Sequence, residues 1–326
     1  MLLAISAIFF GLALLVWGAD KFVEGASSLA NHLGVSPLII GITIIGFGTS
    51  APEILVSIIA VMEDTPDIAI GNALGSNIAN IGLILGVTAF ITPIPIANGL
   101  FRREYPLLVI ATTLLAWCMI DGSLDQIDGL TLLLVLVAIL IYLIKSHRND
   151  PNKHRIEEEL SETIPENMTL ISAIVWVFVG LIILVGSSKI LVWGATDIAI
   201  ALGVSELIIG LTVIALGTSL PELAASIASL KKGVPDMAIG NVIGSNLFNS
   251  LAVIGLPALL TDFSIDSHAI IRDLPVVGGL TILLLCFSRF PVSSTQSLSR
   301  LKGFLLLCCF VIYQLYLYSN VMTGNI

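Results

Sequence analysis

The chain repeats itself. Displaced by 169 residues, Ser36–Glu53 (SPLIIGITIIGFGTSAPE) falls on Ser205–Glu222 (SELIIGLTVIALGTSLPE) with 12 of 18 positions identical. At the same displacement Pro66–Asn80 (PDIAIGNALGSNIAN) matches Pro235–Asn249 (PDMAIGNVIGSNLFN) at 10 of 15, and Arg103 and Pro106 fall on Arg272 and Pro275. A duplicated chain builds one architecture twice, so whatever one half must satisfy the other must satisfy too.

What each half must satisfy is burial in lipid. Apolar residues come in unbroken runs such as Leu130–Ile144 and Phe304–Tyr318, without the three-or-four spacing of a helix that faces water on one side. Hydrophobic residues make up 56% of the chain and charged residues 11%, where a soluble domain carries about 25% charged. A water-soluble fold is excluded, and the sustained alternation of a membrane β-barrel is absent. A bilayer core of about 30 Å takes about 20 apolar residues per helix. Ten stretches meet or approach that: 2–22, 35–62, 66–91, 104–120, 129–144, 170–194, 204–230, 235–260, 274–288 and 303–319. Met1–Ala19 lacks the basic start of a signal peptide and precedes many further spans, so it reads as the first transmembrane helix.

Five spans per half is an odd number, so the second copy enters the membrane from the opposite side. The expected fold class is therefore an all-α integral membrane protein of ten transmembrane helices in two inverted-topology five-helix repeats. Residues 1–144 form the first repeat, 145–169 a polar linker and 170–326 the second. With the linker cytoplasmic, loop Lys and Arg fall eleven inside against one outside, Arg272, in the sense of the positive-inside rule. Both termini then face outwards, across a plasma membrane. The net charge of −9 argues against nucleic acid as a partner. No segment signals an obligate protein partner, and the lipid bilayer is the expected surrounding. Cys118, Cys286, Cys308 and Cys309 have no metal-ligand spacing and read as buried, inert thiols.

Inverted repeats place a substrate site at mid-membrane between the halves, built from discontinuous helices. The second span, with Gly46-Phe47-Gly48-Thr49-Ser50-Ala51-Pro52-Glu53 near its middle, is expected to break there. Pro52 removes a backbone donor and the glycines permit unwinding, which would free carbonyls such as that of Gly46, with Ala215 its counterpart. Glu53 and Glu222 are then carboxylates near the bilayer centre, where an unpaired charge costs several kcal/mol. No Lys or Arg lies close in sequence to either, so a metal ion or a proton is the expected counter-charge. Ser50-x-x-Glu53 and Ser219-x-x-Glu222 also read as capping boxes, but capping alone does not call for a carboxylate at membrane depth.

In the third span Asn72, Ser76 and Asn80 share one helix face, and Asn241, Ser245 and Asn249 repeat the stripe in the eighth. Gly71-x-x-x-Gly75 and Gly240-x-x-x-Gly244 are small-residue motifs for close helix approach. The donors are all oxygens, which favours hard cations such as Ca²⁺ and Na⁺. His32, His147, His154 and His268 read as loop residues.

With its G-T-S-x-P-E and G-N-x-x-G-S-N motifs complete in both halves, the chain resembles the calcium/cation antiporter superfamily, in particular a compact bacterial-type sodium/calcium exchanger, over essentially its whole length. The resemblance implies that Glu53 and Glu222 are shared Ca²⁺ and Na⁺ ligands. It implies that Thr49, Ser50, Thr218, Ser219, Ser76 and Ser245 supply hydroxyl or backbone oxygens, and that Asn80 and Asn249 flank the centre. The first and sixth helices would slide over the core to alternate access. Potassium-dependent members carry Asp where this chain has Asn249, so potassium dependence is not expected. Nor is the large regulatory loop of animal exchangers. The ions are cargo, and no cofactor and no catalytic group is implied.

Expelling Ca²⁺ against an assumed 10⁴ gradient and 100 mV costs about 10 kcal/mol, whereas one Na⁺ entering down a tenfold gradient yields roughly 3.7. About three Na⁺ are therefore needed. Two rival readings stand beside this one. A Ca²⁺/H⁺ antiporter could load protons on the paired carboxylates, and a cation channel would use the same polar midplane with weaker sites. An intramembrane enzyme lacks a motif-matched nucleophile or metal-binding histidines.

Overall fold

The computed structural model describes residues 1–96, 100–148, 168–202, 215–289 and 297–322. The described residues are helical almost throughout: α1 (Leu2–Leu33), α2 (Pro37–Met62), α3 (Pro66–Ile91), α4 (Leu100–Met119), α5 (Gln126–Arg148), α6 (Leu170–Ala201), α7 (Ala215–Thr218), α8 (Leu220–Lys231), α9 (Pro235–Leu260), α10 (Ala269–Arg289) and α11 (Arg300–Met322). Among the described residues eight helices, α1, α2, α3, α5, α6, α9, α10 and α11, are long and apolar enough to cross a membrane, two fewer than the ten expected. The fourth expected span coincides with the 20-residue α4, which is not among the eight and carries Arg102, Arg103 and Glu104 near its start. The seventh is represented by α7 and α8, its residues 204–214 lying outside the described set, as does most of the linker, 149–167.

Helix ends differ from the hydropathy pattern where charge is locally satisfied. The apolar run of the first helix stops at Phe22, yet α1 continues to Leu33 and closes on Gly34 in the left-handed conformation (φ 60). Lys21 is paired with Glu24 at 2.8 Å, and Gly25 to Ala30 are buried against other helices. Packing carries the helix on where transfer to lipid alone would end it. Among the described residues the histidines belong to helices and not to loops, His32 in the last turn of α1, His147 in α5 and His268 at the N-cap of α10, with His154 outside the described residues. Of the four free cysteines only Cys118 is buried; Cys286 is exposed and Cys308 and Cys309 are partly exposed, Cys309 packing against the main core.

The two expected break points take different forms. In α2 the backbone does not unwind at Gly46–Glu53; a π-helical turn over Gly41–Ile45 precedes a continuous helix that contains Pro52. A π turn re-aims the turns downstream of it while keeping backbone groups bonded, as hydrocarbon surroundings demand. In the second half the break is real: Ser219 (φ −89, ψ 1) separates α7 from α8. Further π turns begin at Asn80 in α3 and at Asn249 in α9, matched positions of the repeat.

The centre of the molecule is α3 and α9, with α2 laid against α9. The approach is close enough to require glycine: a Cβ on Gly240 would lie 2.5 Å from the Leu38 carbonyl and one on Gly244 would lie 2.2 Å from that of Ile42. Gly71 and Gly75 have nothing within 4 Å among the described residues, and the repeat counterparts of Leu38 and Ile42, residues 207 and 211, lie outside that set. Outside this core α1 and α6 pack on each other along their length, Gly25 against Ala173 and Val177, Gly18 against Leu184 and Gly11 against Leu191. Ascending α1 descends α6, so the pair is antiparallel.

Two short antiparallel strand pairs tie the connections. β1 (Ile94–Pro95), between α3 and α4, pairs with β4 (Ser297–Leu298), between α10 and α11. β2 (Ser123–Leu124), between α4 and α5, pairs with β3 (Phe263–Ser264), between α9 and α10. Each pair joins one half of the chain to the other.

Candidate functional site

The two carboxylates are buried side chains in a helical bundle. Glu53 on α2 is 1% exposed and Glu222 in the first turn of α8 is 2% exposed. Each is steadied by the polar stripe of the next long helix along the chain. Asn72 Nδ2 donates to the Glu53 carbonyl and to Ser57 Oγ, both at 3.1 Å. Asn241 Nδ2 donates to the Glu222 carbonyl at 3.1 Å and to Ser226 Oγ at 3.0 Å. The same bracket is thus built twice, one asparagine spanning one turn of the glutamate's own helix.

The halves meet through Thr49. Its hydroxyl lies 3.2 Å from Asn241 Oδ1, 3.3 Å from Ser245 Oγ and 3.0 Å from the Ile45 carbonyl. One proton cannot serve both the Asn241 oxygen and the Ile45 carbonyl fully, while Ser245 can donate to Thr49 or accept from it, so this hydroxyl is shared across the network. Ser245 Oγ reaches the Gly46 carbonyl at 3.5 Å. Deeper in the core Asn80 Nδ2 donates to Asn246 Oδ1 and Asn77 Nδ2 donates to Ser250 Oγ, both at 2.9 Å.

Capping does not account for the motif. Ser219 does occupy the N-cap of α8 with Glu222 three residues on, but its hydroxyl makes no cap bond, and Ser50 lies inside α2. Among the described residues both Glu53 carboxylate oxygens, Glu222 Oε2, Ser50 Oγ, Ser219 Oγ, Asn80 Oδ1 and Asn249 Oδ1 are buried without a hydrogen-bond partner. Buried polar atoms are nearly always satisfied, and a buried ionised carboxylate without a partner costs several kcal/mol. Oxygens in this number around two acidic groups suit a hard cation. Among the described residues no group of three or more His, Cys, Asp or Glu side chains gathers elsewhere.

Of the residues expected from sequence, Thr49, Gly46, Ser245 and Asn80 make hydrogen bonds across the halves, while Glu53, Glu222, Ser50, Ser219, Ser76 and Asn249 are buried. Thr218 is only partly buried and lines a cavity of about 400 Å³ between α2 and α6. Ala215 opens α7. The structure adds Ser57, Ser226, Asn77 and Asn246, which the sequence reading passes over. Ser57 and Ser226 sit one turn beyond the glutamates on the same face, and Asn77 and Asn246 close the G-S-N triplets, so spacing held the signal for them.

Comparison with known proteins bears on this arrangement as a whole. The sodium/calcium exchanger protein family matches residues 3–145 and 172–319. CaxA of Alkalimonas amylolytica, a protein named as a candidate antiporter, is 43% identical over 320 residues, covering 98% of this chain and 100% of its own length. The sodium/calcium exchanger MaX1 of Methanosarcina acetivorans is 28% identical over 351 residues, covering 94% and 96%. A solved structure of the sodium-calcium exchanger NCX_Mj, soaked with zero Na⁺ and Ca²⁺, superposes with a TM-score of 0.82 at 33% identity, covering 96% of this chain and 98% of that one. By these matches over nearly its full length, the chain belongs to the sodium/calcium exchanger protein family.

Proposed function

We propose that this chain is a secondary active antiporter that exchanges Na⁺ for Ca²⁺ across the plasma membrane by alternating access. The observation that carries the reading is the pair of buried carboxylates, one from each half, surrounded by buried oxygens that have no hydrogen-bond partner among the described residues. Glu53 and Glu222 are the shared ligands. Thr49, Ser50, Ser219, Ser76 and Ser245 provide neutral oxygens, with Thr218 and the Gly46 and Ala215 backbone at the margins and Asn80 and Asn249 beneath. One Ca²⁺ neutralises both carboxylates, and so do Na⁺ ions loaded in its place. The empty site keeps two uncompensated charges, and the cost of carrying them through the occluded state makes exchange obligatory.

The finer architecture belongs to the same proposal: ten spans, as repeats 1–144 and 170–326 of opposite topology joined by a cytoplasmic linker, 145–169, with both termini outside. Three observations support it. The equivalent helices α1 and α6 are antiparallel, as inversion requires. The strand pairs each need two connections on one face; β1 with β4 and β2 with β3 are the matches that strict alternation through ten spans allows. The solved NCX_Mj fold matches along its length.

The deciding experiment is ⁴⁵Ca²⁺ uptake into proteoliposomes loaded with Na⁺, with K⁺ and with a proton gradient. Uptake that requires internal Na⁺ and is lost in Glu53→Gln supports the exchanger. Uptake driven equally by protons without Na⁺ replaces it with a Ca²⁺/H⁺ antiporter, and unitary currents would make it a channel.

A further inference from the structure

The two repeat-related interfaces between the sliding helices and the core are not in the same condition. On one side α1 packs against α8: Ala19, Phe22, Val23 and Ala26 share a buried cluster with Ala225 and Ala228. On the other side, the positions related by the repeat are held apart. Val185, Ser188, Lys189, Val192 and Trp193 of α6 and Pro52, Leu55, Val56 and Ile59 of α2 line the cavity of about 400 Å³. Displaced by 169 residues, Ala19 and Val23 are Ser188 and Val192, and Ala225 and Ala228 are Val56 and Ile59. One gap is closed by the same positions that leave the other open.

The charges obey the same rule. Lys232, the C-cap of α8, reaches Asp20 of α1 at 2.8 Å and Glu24 at 3.6 Å. Moved through the repeat, Lys232 becomes Glu63 and Asp20 becomes Lys189. Glu63 is the C-cap of α2, so the equivalence holds in structure as well as in sequence. Both caps are followed by a left-handed residue, Asp64 (φ 59) and Gly233 (φ 73). The acid and base have exchanged places between the copies, and the attraction is retained. Among the described residues Glu63 and Lys189 make no ion pair, Glu63 being exposed and Lys189 lining the cavity.

We propose that Glu63 and Lys189 form the second of two alternating ionic latches, resting on the inverted-repeat reading above. With Asp20–Lys232 closed, the α1–α8 side is sealed and the α6–α2 side is open. When α1 and α6 slide together over the core, the first pair parts, the cavity collapses and Lys189 reaches Glu63. Each latch holds one access state, and their relative strength sets the balance between the two. Exposed ion pairs are weak, which suits a latch that must open in every cycle.

Paired cysteines at positions 63 and 189, and separately at 20 and 232, test this in a background with the four native cysteines replaced by serine. The probe is a short bifunctional thiol reagent, since residues joined through long side chains lie too far apart for a direct disulfide. Both pairs are expected to cross-link in proteoliposomes, with yields that move in opposite directions as Na⁺, Ca²⁺ or neither is supplied. Cross-linking at 20 and 232 with none at 63 and 189 in any ion condition would overturn the latch. The gel readout is independent of transport. Loss of Na⁺-driven uptake in the unmodified parent would therefore count against the exchanger and leave the latch to be judged on the gel. In a second arm, Lys189→Glu is expected to slow uptake about two- to fivefold, and Lys189→Glu with Glu63→Lys to restore it. A charge-swapped pair no faster than the single variant would also overturn the proposal.

Discussion

At the scale of single residues, the site is a problem of uncompensated charge. Glu53 and Glu222 are both buried, so removing either charge leaves the other as the sole carboxylate of the proposed site. Glu53→Gln or Glu222→Gln is expected to weaken Ca²⁺ binding by about 3 kcal/mol or more, upwards of a hundredfold; titration calorimetry on purified protein measures it. Asn249→Asp adds a third acid to the core and is expected to strengthen Ca²⁺ binding while slowing its displacement by Na⁺, read as a raised Na⁺ requirement in uptake. The two glutamates were legible in sequence because an acid repeated inside apolar runs is too costly to keep unless something binds it. Their asparagine brackets were only half legible. Asn72 and Asn241 stood out as members of a stripe, but their bonds to Ser57 and Ser226 depend on how two helices cross, which a linear period does not contain. The expected burial of Cys286, Cys308 and Cys309 failed for a related reason: an apolar run does not say which of its faces meets lipid and which meets protein.

At the scale of elements, the closest packing lies between α2 and α9. Gly244→Ala would force a Cβ to 2.2 Å from the Ile42 carbonyl and drive the carboxylate helix off the polar stripe. Its expected signature is a fall in thermal stability together with loss of Ca²⁺ binding. Hydropathy located α3 and α9 to the residue, because Pro66 and Pro235 mark their starts, but it cut α1 short where ion pairs and small-residue packing extend the helix. It also anticipated an unwound α2 where the chain uses a π turn, because glycine and proline announce a deviation without specifying its form.

At the scale of the whole molecule, the duplication made the architecture legible and the asymmetry between copies did not show. One side is packed and the other is open in the same structure, and two matched sequences give no sign of which. Exchange of three Na⁺ for one Ca²⁺ moves one net charge per cycle. Ca²⁺ entry into Na⁺-loaded vesicles is therefore expected to quicken when the interior is made positive with a K⁺ ionophore, whereas two-for-one exchange would be indifferent to potential.

The strand pairs carry a further consequence. β1 with β4 and β2 with β3 stitch the first repeat to the second at separate connections, quite apart from the covalent join between α5 and α6. Together with the interlocked α2 and α9, these seams make the repeats behave as two subunits of a heterodimer that happen to share one chain. Severing the chain between residues 148 and 168 and producing the pieces from separate messages should therefore still yield a complex that purifies as a unit and carries Ca²⁺.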